Sequence, residues 1–287
     1  MATTAAEAPK TAGRSATLEL LRWHEPDGCL VPDESAEPHA IVIADSWLVR
    51  GGRARAASRH WDRFGGSVAP YGLGPAQLAG FRAAATALLP CEGAWFPRVE
   101  LHRNAAGEVH LALRHRQAPP LVRTAALWTA DGDPRRSPDR KGPDLDVLHD
   151  LRDEAVRHGA DEAVLVGPDG SVREGALSSL VWWDDEGDDA VLGTAPLDGA
   201  VLPGVTRAIV IEHCERTGVR VRYERLRPEA LARRECWILS ALHGIRLVTG
   251  WDGRPAPAAD PARLTAFRAK LRSAARRDES RPVRPRG

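Results

Sequence analysis

The sequence predicts an α+β protein of two domains, and three observations carry that expectation. With 287 residues, 43% hydrophobic and 28% charged, the chain can build one large or two modest cores and is too apolar to be disordered throughout. Both halves mix strand-like alternation with helical periodicity. The breaker Gln117-Ala118-Pro119-Pro120 then separates a first half with two neighbouring helices from a second half with single helices between short strands. The expected division is a tail over 1–16, a small α+β domain over 17–118, a large domain over 119–276 and a tail over 277–287.

In order along the chain, Thr17 to Trp23 alternates as a strand does, and Ala40 to Val49 is a mostly apolar second strand ending at the hairpin signal Gly51-Gly52. Ser58 is a good N-cap, and a helix from there places His60 and Arg63 on one face. Pro75 to Leu89 predicts a helix with Leu78, Phe81, Ala85 and Leu88 as its buried stripe. Phe96 to His102 and Val109 to Arg114 read as strands joined at Asn104 to Gly107. Beyond the breaker come a strand over Leu121 to Trp128, a polar loop over Asp131 to Lys141, and a helix over Asp144 to His158 whose Leu145, Leu148, Leu151 and Ala155 repeat at helical spacing. Ala163 to Val166, Val172 to Glu174 and Leu180 to Trp183 read as an antiparallel meander, followed by the acidic loop Asp184 to Asp189. Leu202 to Thr206 leads into a helix through about Thr217. Val219 to Tyr223 is a strand, Pro228 to Arg234 a short helix, Trp237 to Leu239 a strand and Pro261 to Arg276 the last helix.

Composition excludes several classes of function. Forty basic residues stand against 39 acidic ones, so no electrostatic footprint for a phosphate backbone exists and nucleic acid is not the expected partner. No apolar run reaches the roughly 18 residues of a membrane span. The N-terminus lacks the apolar core of a secretory signal. The four cysteines form no CxxC pair, which fits a reduced cytoplasm. The ten histidines show no ligand spacing, so no metal site is expected. Only Lys10, Lys141 and Lys270 break the preference for arginine, which singles out Lys141 in mid-chain.

Four features can be joined by one chemistry. Lys141 stands where a polar loop meets an amphipathic helix, a junction at which a lysine can lose its proton and form a Schiff base; an isolated loop lysine is otherwise a solvated charge. Glu174 lies on a strand among apolar neighbours and needs a cationic partner, Arg173 or another arginine, or a changed pKa. Leu202-Pro203-Gly204-Val205-Thr206-Arg207 opens a helix from a Pro-Gly turn and offers N–H groups and a hydroxyl to an anion, as many helix starts do. Arg63 can add a fixed charge to a phosphate. An amine, an acid for a ring nitrogen and two phosphate anchors are what pyridoxal phosphate requires of a protein.

The runs HWDRF, KGPDLDVLHDLRDEAVRHGADEAVLVGPDGSVREGALSSLVWW, TAPLDGAVLPGVTRAIV and CWILSALHGIRLV, in that order, resemble the class IV aminotransferase family over about Ala40 to Gly253. That family holds branched-chain and D-amino acid aminotransferases and 4-amino-4-deoxychorismate lyases. The resemblance implies a two-domain fold-type IV enzyme that binds pyridoxal 5'-phosphate in the cleft between its domains. It makes Lys141 the Schiff-base lysine and Glu174 the carboxylate that keeps the pyridine nitrogen protonated. Arg63, the N–H of Val205 and the N–H and hydroxyl of Thr206 then hold the phosphate. The segment Ser240-Ala241-Leu242 corresponds to the family stretch beside the phosphate and the substrate carboxylate. Arg98 falls near a position from which the small domain faces the substrate, and His243 near a basic position of the lyase-like members.

Three departures stand out: Ser179 where the family often has Asn, Ala241 where it often has Thr or Ser, and Asp146 where the branched-chain enzymes carry Tyr. The resemblance further implies a homodimer acting on small amino acids and 2-oxo acids. The incoming amino group displaces Lys141, whose freed amine moves the α-proton. The alternatives are a lyase that expels pyruvate and, third, a non-catalytic homologue that keeps the fold.

Overall fold

The computed structural model describes residues 19–34, 39–186 and 189–277. The tail expected over 1–16, the start of the first expected strand and residues 278–287 lie outside the described residues. In chain order the first half contains β1 (Glu19–His24), β2 (Cys29–Pro32), β3 (Ala40–Ser46), β4 (Val49–Arg50), β5 (Arg53–Arg55), α1 (Ala57–Val68), α2 (Pro75–Leu88), β6 (Ala94–Trp95), β7 (Arg98–Arg103) and β8 (Val109–His115).

An antiparallel sheet in the order β2-β1-β8-β7-β3 forms its frame. Alternation sends Leu21, Trp23, Val99, Leu101, Leu111 and Leu113 to one face, where they pack with Trp61, Phe64 and Phe81 of the two helices. The opposite face carries Glu100, His102 and His110, all buried. Gly51 and Gly52 both have positive φ (55° and 69°) and close the β4–β5 hairpin, as the dipeptide signals. Two expectations are corrected here. The first helix starts at Ala57, after Ala56 in the left-handed region (φ 49°), so Ser58 lies inside the first turn and is not the N-cap. Leu88 is exposed, and Leu89, where the chain turns extended, is buried in its place.

The second half comprises β9 (Thr124–Thr129), α3 (Leu145–Arg157), β10 (Glu162–Val166), β11 (Val172–Gly175), β12 (Ser179–Glu186), β13 (Asp189–Thr194), α4 (Val205–Thr217), β14 (Arg220–Tyr223), α5 (Pro228–Leu231), β15 (Glu235–Ser240), β16 (Gly244–Trp251), β17 (Arg254–Pro255), α6 (Pro261–Ser273) and β18 (Ala275–Arg277). Its sheet runs β11-β10-β9-β16-β15-β12-β13-β14, with β17 on β16. The expected meander is corrected by this order. β11 pairs with β10 at one edge, whereas β12 leaves through the turn at residues 176–178 and pairs with β15 and β13. The acidic run extends β12 into a hairpin with β13, in register to Glu186 and Asp189.

The last helix stops at Ser273, and Ala275–Arg277 pairs with Arg53–Arg55 in a third sheet ordered β18-β5-β4-β6. Arg277, expected in the C-terminal tail, is therefore strand. No strand of the five-stranded sheet comes after His115, and none of the nine-stranded sheet comes before Thr124. Among the described residues no helix is long and apolar enough to cross a membrane.

Candidate active site

A cleft lies where α1, the loop before α3, the ends of β11 and β15, and the start of α4 converge. The loop is fixed first. Asp144, buried at the foot of α3, accepts from the N–H groups of Arg136 (3.1 Å) and Ser137 (2.9 Å), so its carboxylate holds the loop and does not cap the helix. The carbonyl of Lys141 accepts from Ala44 N–H of β3 at 2.7 Å. Gly142 follows with φ 140°, and a Cβ there would stand 2.6 Å from Ile43 Cα and 2.7 Å from Ala44 N. Only glycine lets the loop lie on β3 at this point. Gly142→Ala is therefore expected to destabilise the fold by about 1–3 kcal/mol, read as a lower urea midpoint, and an unchanged midpoint would show that the loop can lift off β3 without cost.

Lys141 lines the cleft, and desolvation of its amine, with Arg63 close by, pushes its pKa down to about 8 against the pull of Asp45. A neutral amine is the form that attacks a carbonyl. Covalent capture of an aldehyde at Lys141 should accelerate as pH rises through about 8 and level off above it. Stopped-flow absorbance with pyridoxal phosphate across that range measures this, and a flat profile would contradict it.

Glu174 ends β11 and is buried, only 4% exposed. Its Oε1 accepts from Arg135 Nη1 at 2.6 Å and from Leu202 N–H at 2.7 Å. Both contacts fall on Oε1, which leaves Oε2 for a ring N–H in the cleft. Burial raises the Glu174 carboxyl above the usual range, and Arg135 and the Leu202 N–H oppose that rise. Arg135 is itself held by Asp133, through Nε–Oδ1 at 2.9 Å and Nη2–Oδ2 at 2.7 Å, and by the Ala200 carbonyl at 3.0 Å. Arg173 is not the partner of Glu174. Neighbours on a strand point to opposite faces, and Arg173 pairs with Asp169 at 3.2 Å.

The third corner gathers groups that can donate to an anion. α4 has thirteen residues and no side-chain N-cap, so the N–H groups of Val205 and Thr206 begin the helix at its positive end. A Cβ at Gly204 would lie 2.5 Å from Ser179 Oγ, so β12 comes close to the helix start here and a side chain at 204 would turn the Ser179 hydroxyl away. Arg63 reaches the same place from α1. Its Nε and Nη2 contact the two oxygens of Asp45 at 2.8 Å each, and Nη1 donates to the Pro203 carbonyl at 3.0 Å. His60 meets Asp45 at 2.8 Å, and Arg63 and His60 together hold that buried carboxyl well below the usual range. Arg63 is thus oriented by a fully buried carboxylate, with guanidinium N–H groups to spare for a phosphate.

Lys141, Arg63, Glu174, Ser179, Val205, Thr206, Ser240 and Ala241 all line this one cleft. Leu242, His243 and Arg98 are not among its lining residues. Arg98 donates from β7 to Glu100 at 2.6 Å, although its charge still reaches Lys141. His243 sits in the turn after Ser240, where its backbone N–H donates to Ser240 Oγ (3.2 Å) and its Nδ1 accepts from Val122 N–H (3.3 Å). Burial pushes its pKa down to about 4, so it is neutral near pH 7. Arg135, Asp133 and Asp45 escaped the sequence reading. The signal available for the first was a buried strand carboxylate in need of a cation, but nothing local selects one arginine among so many.

These features fit pyridoxal phosphate: a buried amine of lowered pKa, a carboxylate with one oxygen uncommitted, and an uncapped helix start beside an oriented guanidinium. The family model for amino-transferase class IV matches residues 43–251. This chain belongs to the class IV aminotransferases, a pyridoxal-phosphate-dependent family. The cytosolic branched-chain-amino-acid aminotransferase of Mus musculus is 37% identical over 67 residues, which is 23% of this chain and 17% of that protein. The match thus spans less than a fifth of the relative. The branched-chain amino acid aminotransferase from Escherichia coli superimposes with a TM-score of 0.70 at 18% identity, covering 87% of this chain and 92% of that one. A putative 4-amino-4-deoxychorismate lyase from Legionella pneumophila superimposes with a TM-score of 0.68 at 17% identity, over 81% and 90% of the two chains. The fold is that of the fold-type IV transaminases.

Proposed function

We propose that the protein is a pyridoxal-phosphate-dependent aminotransferase that moves an amino group between a small amino acid and a 2-oxo acid. The observation that carries the reading is the convergence of Lys141, Glu174, Arg63 and the start of α4 on a single cleft. When bound, the cofactor supplies an electron sink for the pair left at an amino acid's Cα after its proton departs. Arg63, the N–H groups of Val205 and Thr206 and the Thr206 hydroxyl bind the phosphate. Glu174 holds a proton at the ring nitrogen through Oε2, and Arg135 favours the charged form of that carboxyl against its burial. Lys141 Nζ, neutral in useful amount because its pKa is near 8, takes the proton from Cα and holds it for return.

The residues over 17–118 and 119–276 form the two domains of this reading, with the cleft between them. The protein works as a homodimer in the cytoplasm, where its four free cysteines stay reduced. Single-turnover absorbance of the loaded protein with a panel of L- and D-amino acids tests the reaction. Conversion of the cofactor to its amine form, reversed by a 2-oxo acid, supports a transaminase. Pyruvate formed from aminodeoxychorismate without an amino acceptor replaces it with the lyase.

A further inference from the structure

The face of the five-stranded sheet turned away from α1 and α2 holds a second group of polar side chains, separate from the cleft. His102 of β7 and His110 of β8 are cross-strand partners. His39 precedes β3 and Asp33 follows β2, and both reach the same patch. The rings of His39 and His110 meet edge to face with centroids 4.7 Å apart, and those of His102 and His110 are 5.2 Å apart. His110 Nε2 lies 3.8 Å from Asp33 Oδ2, with the side chains 8% and 3% exposed. One donor atom from each of Asp33, His39 and His110 falls within 4.8 Å of the other two.

Hydrogen bonding leaves this patch incomplete. His110 Nε2 and His102 Nδ1 are buried without a hydrogen-bond partner. A buried polar atom in that condition costs about 1–3 kcal/mol, so three packed imidazoles make a poor substitute for an apolar core. The other nitrogen of His102, Nε2, is bound to Glu100, which Arg98 and Arg114 hold in turn at 2.6 and 2.8 Å. A carboxylate on one ring nitrogen and an uncommitted second nitrogen is how a metal-binding histidine is commonly oriented.

We propose that Asp33, His39 and His110, with His102 beside them, form a binding site for a divalent transition metal of the zinc type. Imidazole nitrogen and carboxylate oxygen are the donors such an ion takes. At zinc–ligand distances of about 2.0–2.2 Å, tetrahedral donors lie about 3.3–3.6 Å apart, so the three atoms, now within 4.8 Å of one another, need to close by roughly 1 Å, within the reach of side-chain rotation. The site lies outside the cleft and does not depend on the reading of the cleft. The ion would join β2, β3 and β8, strands from both edges and the centre of the sheet.

The test is calorimetric titration of the full, tag-free, chelator-stripped chain with zinc chloride. One equivalent per chain with Kd under about 1 µM is expected, weakened at least about tenfold in His110→Ala and in Asp33→Asn. His158→Ala, at a histidine stacked on Trp128 in the second half, should bind as the wild type does. Zinc X-ray absorption of the loaded wild type should show two or three imidazole ligands, which keeps the proposal testable should a variant fail to fold. Absence of equimolar binding tighter than about 10 µM, binding unchanged in both ligand variants, or an absorption spectrum without imidazole ligands would overturn it.

Discussion

Lys141→Ala should abolish the visible absorbance of the loaded protein and lower turnover by at least about 10³-fold, because one amine both anchors the cofactor and moves the proton. Lys270, on α6, does not line the cleft, so among the described residues no other lysine is placed to replace Lys141. Loss of activity should not bring loss of stability. The amine's pKa falls from 10.5 in the unfolded chain to about 8 in the fold. The unfolded chain therefore binds more protons between those values, and cofactor-free stability rises with pH from about 8 to about 10.5. Below pH 8 the full penalty of holding a buried cation beside Arg63 is present. Lys141→Met, which keeps most of the volume and removes the charge, should then be more stable than the wild type at pH 7, by about 1–3 kcal/mol. Urea unfolding of both proteins at pH 7 and pH 10 checks this. A variant less stable at pH 7 would show that Lys141 has a structural partner and no tuned amine.

The second large effect lies at Arg135. Arg135→Met leaves Glu174 buried with the Leu202 N–H and the more distant charge of Arg207 to stabilise it, and also strips Asp133 of its guanidinium. Breaking one side of a buried ion pair costs about 3–5 kcal/mol. Burial already raises the Glu174 carboxyl, and loss of its cation raises it further, so the folded variant holds that proton to higher pH than the unfolded carboxyl, with its ordinary value of 4.5. Stability of the variant therefore falls as pH rises above about 4.5, and its deficit against the wild type is expected to be greatest near neutrality and to shrink on acidification. Turnover should fall by about 10²-fold or more, since a Glu174 that is more readily protonated holds the ring nitrogen's proton less well. Glu174→Gln separates the two effects. It should lose a similar share of turnover at a smaller cost in stability, because Arg135 keeps its bidentate contact with Asp133. An Arg135→Met protein with unchanged turnover would remove Arg135 from the account of the site.

Local features were the legible part of the sequence. Gly51-Gly52 closes its hairpin, the stripe of α3 buries Leu145 and Ala155, and the Pro-Gly turn at residues 203–204 opens α4 without a side-chain cap. Each depends on a few neighbouring residues whose backbone preferences act directly. Pairings over long separations were not legible. Nothing in Val172 to Trp183 shows that β11 stays at an edge while β12 crosses to β15, because both arrangements bury the same apolar residues. The same holds for β18 on β5, a pairing between the last strand and one in the first half of the chain, which no helical or strand period announces.

Among the residues that line the cleft, those marked by scarcity or motif, Lys141, Glu174 and Thr206, could be named from the chain. Residues that act by orienting them could not. Asp45 lies on an apolar strand and reads as an ordinary polar position, yet it fixes Arg63 and His60 at 2.8 Å each. Arg135 is one of many arginines in a loop that shows its role only when folded against β11. The side chains of the sheet-face cluster are likewise spread from Asp33 to His110, with no spacing that a ligand motif would show.

The claim that Lys141 is the cofactor-bearing amine is tested most directly by chemistry on the three lysines. The protein is loaded with pyridoxal phosphate, reduced with borohydride and digested, and the phosphopyridoxyl group is located by mass spectrometry. The expected result is one equivalent of the group on Lys141, with Lys10 and Lys270 unmodified. An adduct confined to Lys10 or Lys270, or none at a saturating cofactor concentration, would contradict the account of the cleft.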